Sequence, residues 1–139
     1  MISRTGTHAT LALAFLAHLK PGEYAGASQI AAQVGAPRNY LGKLLKLLAE
    51  QGLVESQKGF GGGFRLAKAG GKITLYDILE PVDKVSKWNG CFMGRPRCSE
   101  KSPCALHSRW SKIRGEYLDF LKATTVAEVA DGKVPLQED

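Results

Sequence analysis

The chain has 139 residues, 44% of them hydrophobic, with 19 Lys and Arg against 13 Asp and Glu. That is one ordinary domain, or a small domain with an appendage, and it is apolar enough to bury a core, which excludes a disordered chain. No window holds the ~18 apolar residues a membrane span needs. The opening Met1-Ile-Ser-Arg-Thr-Gly lacks the apolar run and small-residue cleavage site of a secretory signal. The cytoplasm is therefore the expected compartment. Charge is unevenly placed. Residues 1–68 carry eight Lys and Arg against Glu23, Glu50 and Glu55, a net +5, while residues 69–139 come to +1. A basic body favours a polyanionic partner.

Leu11, Phe15 and Leu19 recur four apart and predict a first helix over 7–19, stopped by Pro21-Gly22. Ser28 is the candidate cap of a second helix over 29–34, ended by Gly35. Pro37 suits the first turn of a third helix running to about Gln51, with Tyr40, Leu41, Leu44, Leu45 and Leu48 as its apolar stripe. Two short helices joined by the tight turn at Gly35-Ala36 form a helix-turn-helix, whose second helix can enter the major groove. Residues 53–57 and 64–67 read as short strands around Lys58-Gly-Phe-Gly-Gly-Gly63, a glycine-rich hairpin tip. A hairpin in that place is a wing. The glycine run has no P-loop ending and opens onto no helix, so it is not a phosphate cradle.

The candidate DNA contacts follow from that order. Arg38 is placed to read guanine and Asn39 adenine, with Tyr40 beside them on the same first turns. Lys43 and Lys46 are placed for phosphates. Ser28, Lys58, Gly61, Gly62, Gly63 and Arg65 complete the expected DNA-facing set. Further on, Thr74 caps a short helix over 75–79 that ends before Pro81. A long aperiodic loop spans about 86–103, and a helix over 104–123 carries Trp110, Ile113, Tyr117 and Phe120 as a short seam. That seam suits a second copy of the chain or the first helix. Thr125 caps a last short helix to Ala130. The expected organisation is 1–82 for reading DNA, 83–103 as a cysteine loop, 104–131 as dimerisation helices and 132–139 as a tail. The fold class is mainly α, a winged helix-turn-helix with a small β-hairpin and a long C-terminal helix.

All three cysteines fall in that loop region, as Cys91-x6-Cys98-x5-Cys104-x2-His107. Thiolates are soft ligands and imidazole completes such sites, so a metal ion or an iron–sulfur cluster is the expected occupant. Three cysteines cannot all pair within one chain, which disfavours a disulfide framework.

Taken together, the stretch from Ser3 to about Val82, the Gly61-Gly-Gly-Phe-Arg65 wing, the Ile73-Thr-Leu-Tyr-Asp-Ile-Leu79 segment and the three-cysteine loop resemble the Rrf-two family of bacterial transcription regulators. The resemblance implies a winged-helix homodimer whose operator binding is controlled by a cluster on Cys91, Cys98 and Cys104. IscR-like members add a histidine three residues after the third cysteine, where His107 stands. NsrR-like members use an acidic residue near the start of the first helix, where His8 stands. His107 is preferred because Cys104 and His107 are expected on one helical face, and His8 stays open as the alternative. Two features depart from the family pattern. The first cysteine gap is six residues where five is usual, and Phe60 stands where proline is common.

The function expected is a sequence-specific transcription regulator, binding a double-stranded DNA operator as a homodimer. Its 2Fe–2S or 4Fe–4S cluster would sense redox state, nitric oxide or iron. The alternative is a Cys3His zinc site in a nucleic-acid-binding protein without redox sensing. Neither Cys-x2-Cys pairs nor a nucleophile–base arrangement is present, which argues against a ferredoxin-like carrier and against an enzyme.

Overall fold

The computed structural model describes residues 2–95 and 100–132. Its helices are α1 (Arg4–Leu16), α2 (Ala27–Val34), α3 (Arg38–Glu50), α4 (Leu75–Asp83), α5 (His107–Ala123) and α6 (Val126–Asp131). Between α3 and α4 the strands β1 (Val54–Gln57) and β2 (Gly63–Leu66) pair antiparallel, Val54 opposite Leu66 and Gln57 opposite Gly63. A 3₁₀ turn, Val85–Asn89, follows α4. The fold is mainly helical with one small hairpin, as the sequence predicts.

The starts of several elements have identifiable causes, some local and some distant. Ser3 accepts a hydrogen bond from Gly6 N at 3.0 Å, so α1 starts at Arg4, three residues earlier than the apolar spacing suggests. It also ends earlier, at Leu16. Helix α2 starts at Ala27 because Ala25 is committed to the wing: Ala25 N donates to Phe64 O at 2.9 Å and Phe64 N to Ala25 O at 2.7 Å. Gly26 is therefore the cap, and Ser28 lies exposed in the first turn rather than capping. Pro37, expected in the first turn of α3, is its extended N-cap. Helix α4 runs through Pro81 to Asp83 instead of stopping before it. A reciprocal box at its start, Thr74 with Asp77, and the buried Ile78 and Leu79 hold the helix despite the missing N–H. Thr125 caps α6 as predicted.

The core lies where α1, α3 and α4 converge. Leu13, Leu41, Leu45, Leu48, Ile78 and Leu79 are almost completely buried there, each contributing about 1.5–3 kcal/mol by leaving water. Helix α1 meets α4 so closely that a β-carbon on Gly6 would lie 2.3 Å from Asp83 Oδ2. Helix α5 packs on α4 and the 3₁₀ turn, and α6 packs on α1. Leu75 N donates to Thr124 O at 2.9 Å and Val126 N to Ile73 O at 2.8 Å, tying the C-terminal helices to the start of α4. The predicted seam on α5 splits accordingly. Trp110 and Tyr117 turn toward Trp88, while Ile113 and Phe120 are exposed at 58% and 54%.

Candidate DNA-reading face and cysteine centre

Helix α3 presents Arg38, Asn39, Lys43 and Lys46 to solvent. With Ala27 and Gly42 they line an open depression of about 540 Å³. Gly42 keeps that surface shallow, so the long cationic side chains dominate it. Tyr40 sits between these residues in sequence but turns inward. Its hydroxyl donates to Thr5 Oγ1 at 3.0 Å and lies 3.1 Å from His8 Nδ1, with the two rings edge to face at 5.5 Å. The Tyr40 hydroxyl, itself both donor and acceptor, thereby fixes the orientation of the His8 ring between Thr5 and α3. Burial, and then the nearby Arg4 charge, hold His8 below its ordinary value, favouring the neutral ring.

The wing stands beside this face because the Ala25–Phe64 pair joins β2 to the residue two before Ala27. Lys58 and Gly61 are exposed near its tip. Gly62 and Gly63 are required by the hairpin itself: a β-carbon would come within 2.1 Å of Gln57 O and 2.3 Å of Ala25 O respectively. Arg65 is engaged within the wing. Its Nε donates to Glu55 Oε2 at 3.0 Å and its guanidinium lies 4.7 Å from the Tyr24 ring centroid.

Cys91 Sγ and Cys104 Sγ lie 3.7 Å apart. Cys98 falls outside the described residues. The loop entry is tied to α5 at Gly90, whose O accepts from Trp110 Nε1 at 3.0 Å and from Arg114 at 3.2 Å. Phe92 stacks edge-on against Trp110 at 5.4 Å. Gly94 N donates to Cys91 O at 3.0 Å, and the Arg95 guanidinium donates to Ser102 O. Desolvation pushes the Cys91 thiol up, but hydrogen bonds from the Met93 and Arg95 backbone and from Cys104, with the Arg95 charge, leave it below its ordinary value.

Helix α5 begins at His107, not at Cys104, so the expectation that both share one helical face is corrected. A single turn, His107 N to Cys104 O at 3.1 Å, relates the two residues. Among the described residues no third His, Cys, Asp or Glu joins the two thiols in a set of three. The thiol pair itself fits a soft metal. A tetrahedral centre with metal–sulfur bonds of about 2.3 Å places two of its sulfurs about 3.8 Å apart. Sequence reasoning missed the supports of this site, Gly90, Arg95, Trp88 and Arg114, and the Thr5–Tyr40–His8 chain. Two tryptophans flanking the cysteine loop were the visible signal for the first group. The second joins residues far apart in sequence and left no local signal.

Residues 2–132 match the model of the Rrf2 family, described as an iron-dependent transcriptional regulator. The chain belongs to the Rrf2 family. A relative from Aquifex aeolicus, described as an HTH-type transcriptional regulator, is 36% identical over 131 residues, covering 93% of this chain and 90% of that one. The regulator IscR of Pectobacterium carotovorum is 30% identical over 106 residues, 76% of this chain, and the chain spans only 64% of that relative's length. Among solved structures, CymR, the global cysteine regulator of B. subtilis, superposes with a TM-score of 0.79 at 25% identity, covering 94% of this chain and 95% of that one. The T. potens IscR structure superposes with a TM-score of 0.76 at 23% identity, covering 100% of this chain and 92% of that one. The Rrf2 chain described here is thus a winged-helix transcription regulator and not an enzyme. Among the described residues, no helix is long and apolar enough to cross a membrane.

Proposed function

We propose that this Rrf2 regulator binds operator DNA as a cytoplasmic homodimer, with its affinity set by an iron–sulfur cluster on Cys91, Cys98 and Cys104. The carrying observation is the pair of thiols at 3.7 Å, at the end of a loop suspended from α5 through Gly90. Bound there, a cluster supplies an oxidisable, ligand-exchanging centre. The protein's own part is mechanical. Trp110 and Arg114 hold the loop entry on α5, and Arg95 closes the loop back on Ser102. A change in the loop then reaches α4, on which α5 packs, and through Gly6 and Asp83 the helix α1. On the DNA side, Arg38 and Asn39 read bases, Lys43, Lys46 and Lys58 meet phosphates, and Arg65 stiffens the wing. Residues 1–82 read DNA, 83–103 hold the cluster and 104–131 dimerise.

Two fourth ligands are supported by different observations. His107 begins α5 one turn after Cys104. The Tyr40 hydroxyl fixes the His8 ring through Nδ1, an outer hydrogen bond of the kind that orients a ligating imidazole. The same 3.7 Å spacing also suits a single zinc ion, which would make the loop structural. Anaerobic purification, an absorption spectrum and iron and sulfide counts per chain decide between them. A brown protein with iron and sulfide is expected. A colourless zinc protein would replace the sensing reading with the structural one.

A further inference from the structure

The apex of the wing is an apolar side chain. Gly62 N donates to Gly59 O at 3.1 Å, closing a four-residue turn with Phe60 and Gly61 at its corners. Gly61 has φ 75°, the conformation that the third position of a type II turn requires. A corner residue projects away from the paired strands, and Phe60 has a relative exposure of 110%, the highest among the exposed large apolar residues. Open space surrounds its neighbours as well: β-carbons built on Gly59 and Gly61 would meet nothing within 4 Å. No contact among the described residues accounts for an aromatic ring at this point, where a polar residue would be better solvated.

We propose that Phe60 is a minor-groove wedge. This inference rests on the DNA-binding reading above. With α3 in the major groove, the wing apex reaches the neighbouring minor groove, and the Phe60 ring enters a base step from that side. It partly unstacks the step and bends the duplex toward the major groove. Three features suit the tip to that task. Gly59, Gly61 and Gly62 carry no side chains, so the backbone can approach the sugar–phosphate walls closely. Lys58 supplies a cation beside the apex. The base of the wing is stiff, with Arg65 fixed between Glu55 and Tyr24 and Phe64 bonded to Ala25, so the ring is delivered in a set direction relative to α3. Pyrimidine–purine steps unstack most easily, so Phe60 selects such a step without any hydrogen bond to a base.

The test uses the purified full-length chain and duplexes it selects from a random-sequence pool. A selected duplex is labelled with 2-aminopurine at successive steps, and its bend is followed by energy transfer between end labels. Wild type is expected to raise 2-aminopurine fluorescence severalfold at one pyrimidine–purine step and to bend the duplex. Phe60→Leu keeps both effects. Phe60→Ala loses both and weakens binding about tenfold, with an unchanged melting temperature because the ring packs on nothing. Lys58→Ala weakens binding but keeps the fluorescence rise. Selected duplexes with no rise at any step, or a Phe60→Ala variant that keeps the rise, would overturn the wedge alone. Failure of the pool to enrich any sequence would overturn the operator reading and the wedge with it.

Discussion

The reading head and the cysteine loop are held together by different forces. In the head, Leu13, Leu41, Leu45 and Leu48 are buried to the last few per cent, and the order of α1 to α3 comes from apolar packing. In the loop from Cys91 to Leu106, no described side chain is fully buried. Contacts of its described residues include two donors on Gly90 O, one from Arg95 to Ser102 O, the Phe92–Trp110 ring pair and a pair of thiols. Apolar packing is indifferent to redox state and to metal, whereas thiols are not. Apolar burial therefore concentrates in the head, while the described part of the loop depends on directed contacts.

The comparison breaks most visibly at the core. Leu45→Ala should cost about 2–5 kcal/mol, read as a large fall in melting temperature and loss of all DNA binding. A loss under about 0.5 kcal/mol would mean the head is not packed as described. Trp110→Phe removes one of the two donors to Gly90 O. It should cost about 1 kcal/mol and speed hydrogen exchange at Gly94 while leaving α3 amides unaffected. Equal acceleration in both regions would show that loop and head unfold as one unit. Cys91→Ala should shift the stability of the metal-free chain by less than about 0.5 kcal/mol yet abolish iron retention. Full iron content in that variant would remove Cys91 from the centre.

The smallest effect is on pH. Burial and Arg4 hold His8 below its ordinary value of 6.5, so the folded chain takes up that proton less readily than the unfolded one. Stability is whole above the ordinary value and declines as the pH falls below it. His8→Gln should flatten that acid slope slightly in urea titrations of the metal-free chain. An unchanged slope would place the acid sensitivity elsewhere.

Much of the head was legible in the sequence because its signals are local. The four-residue spacing on α1, the stripe on α3 and the turn at Gly35, which adopts φ 71°, each act within one element. The errors lie where a distant residue intervened. Ser28 failed to cap because Phe64 holds Ala25 extended, and α4 passed through Pro81 because its packing on α1 outweighs one missing hydrogen bond. The site divides in the same way. The clustering of the cysteines was visible in the sequence, but the start of α5 at His107 undid the helical argument joining Cys104 to His107.

By itself, then, the sequence determined the order of elements, the basic reading helix, the glycine hairpin and the clustering of thiols, since periodicity, turn chemistry and ligand type are written along the chain. Tertiary structure alone decided that Tyr40 turns inward to His8 and Thr5, that Gly90 is the anchor of the cysteine loop, that Arg65 is engaged within the wing and that Phe60 meets nothing at its tip. The pairings among these span ten residues or more. They depend on how helices and hairpin pack, because a side chain's partners are set by the surfaces brought against it and not by its neighbours in sequence.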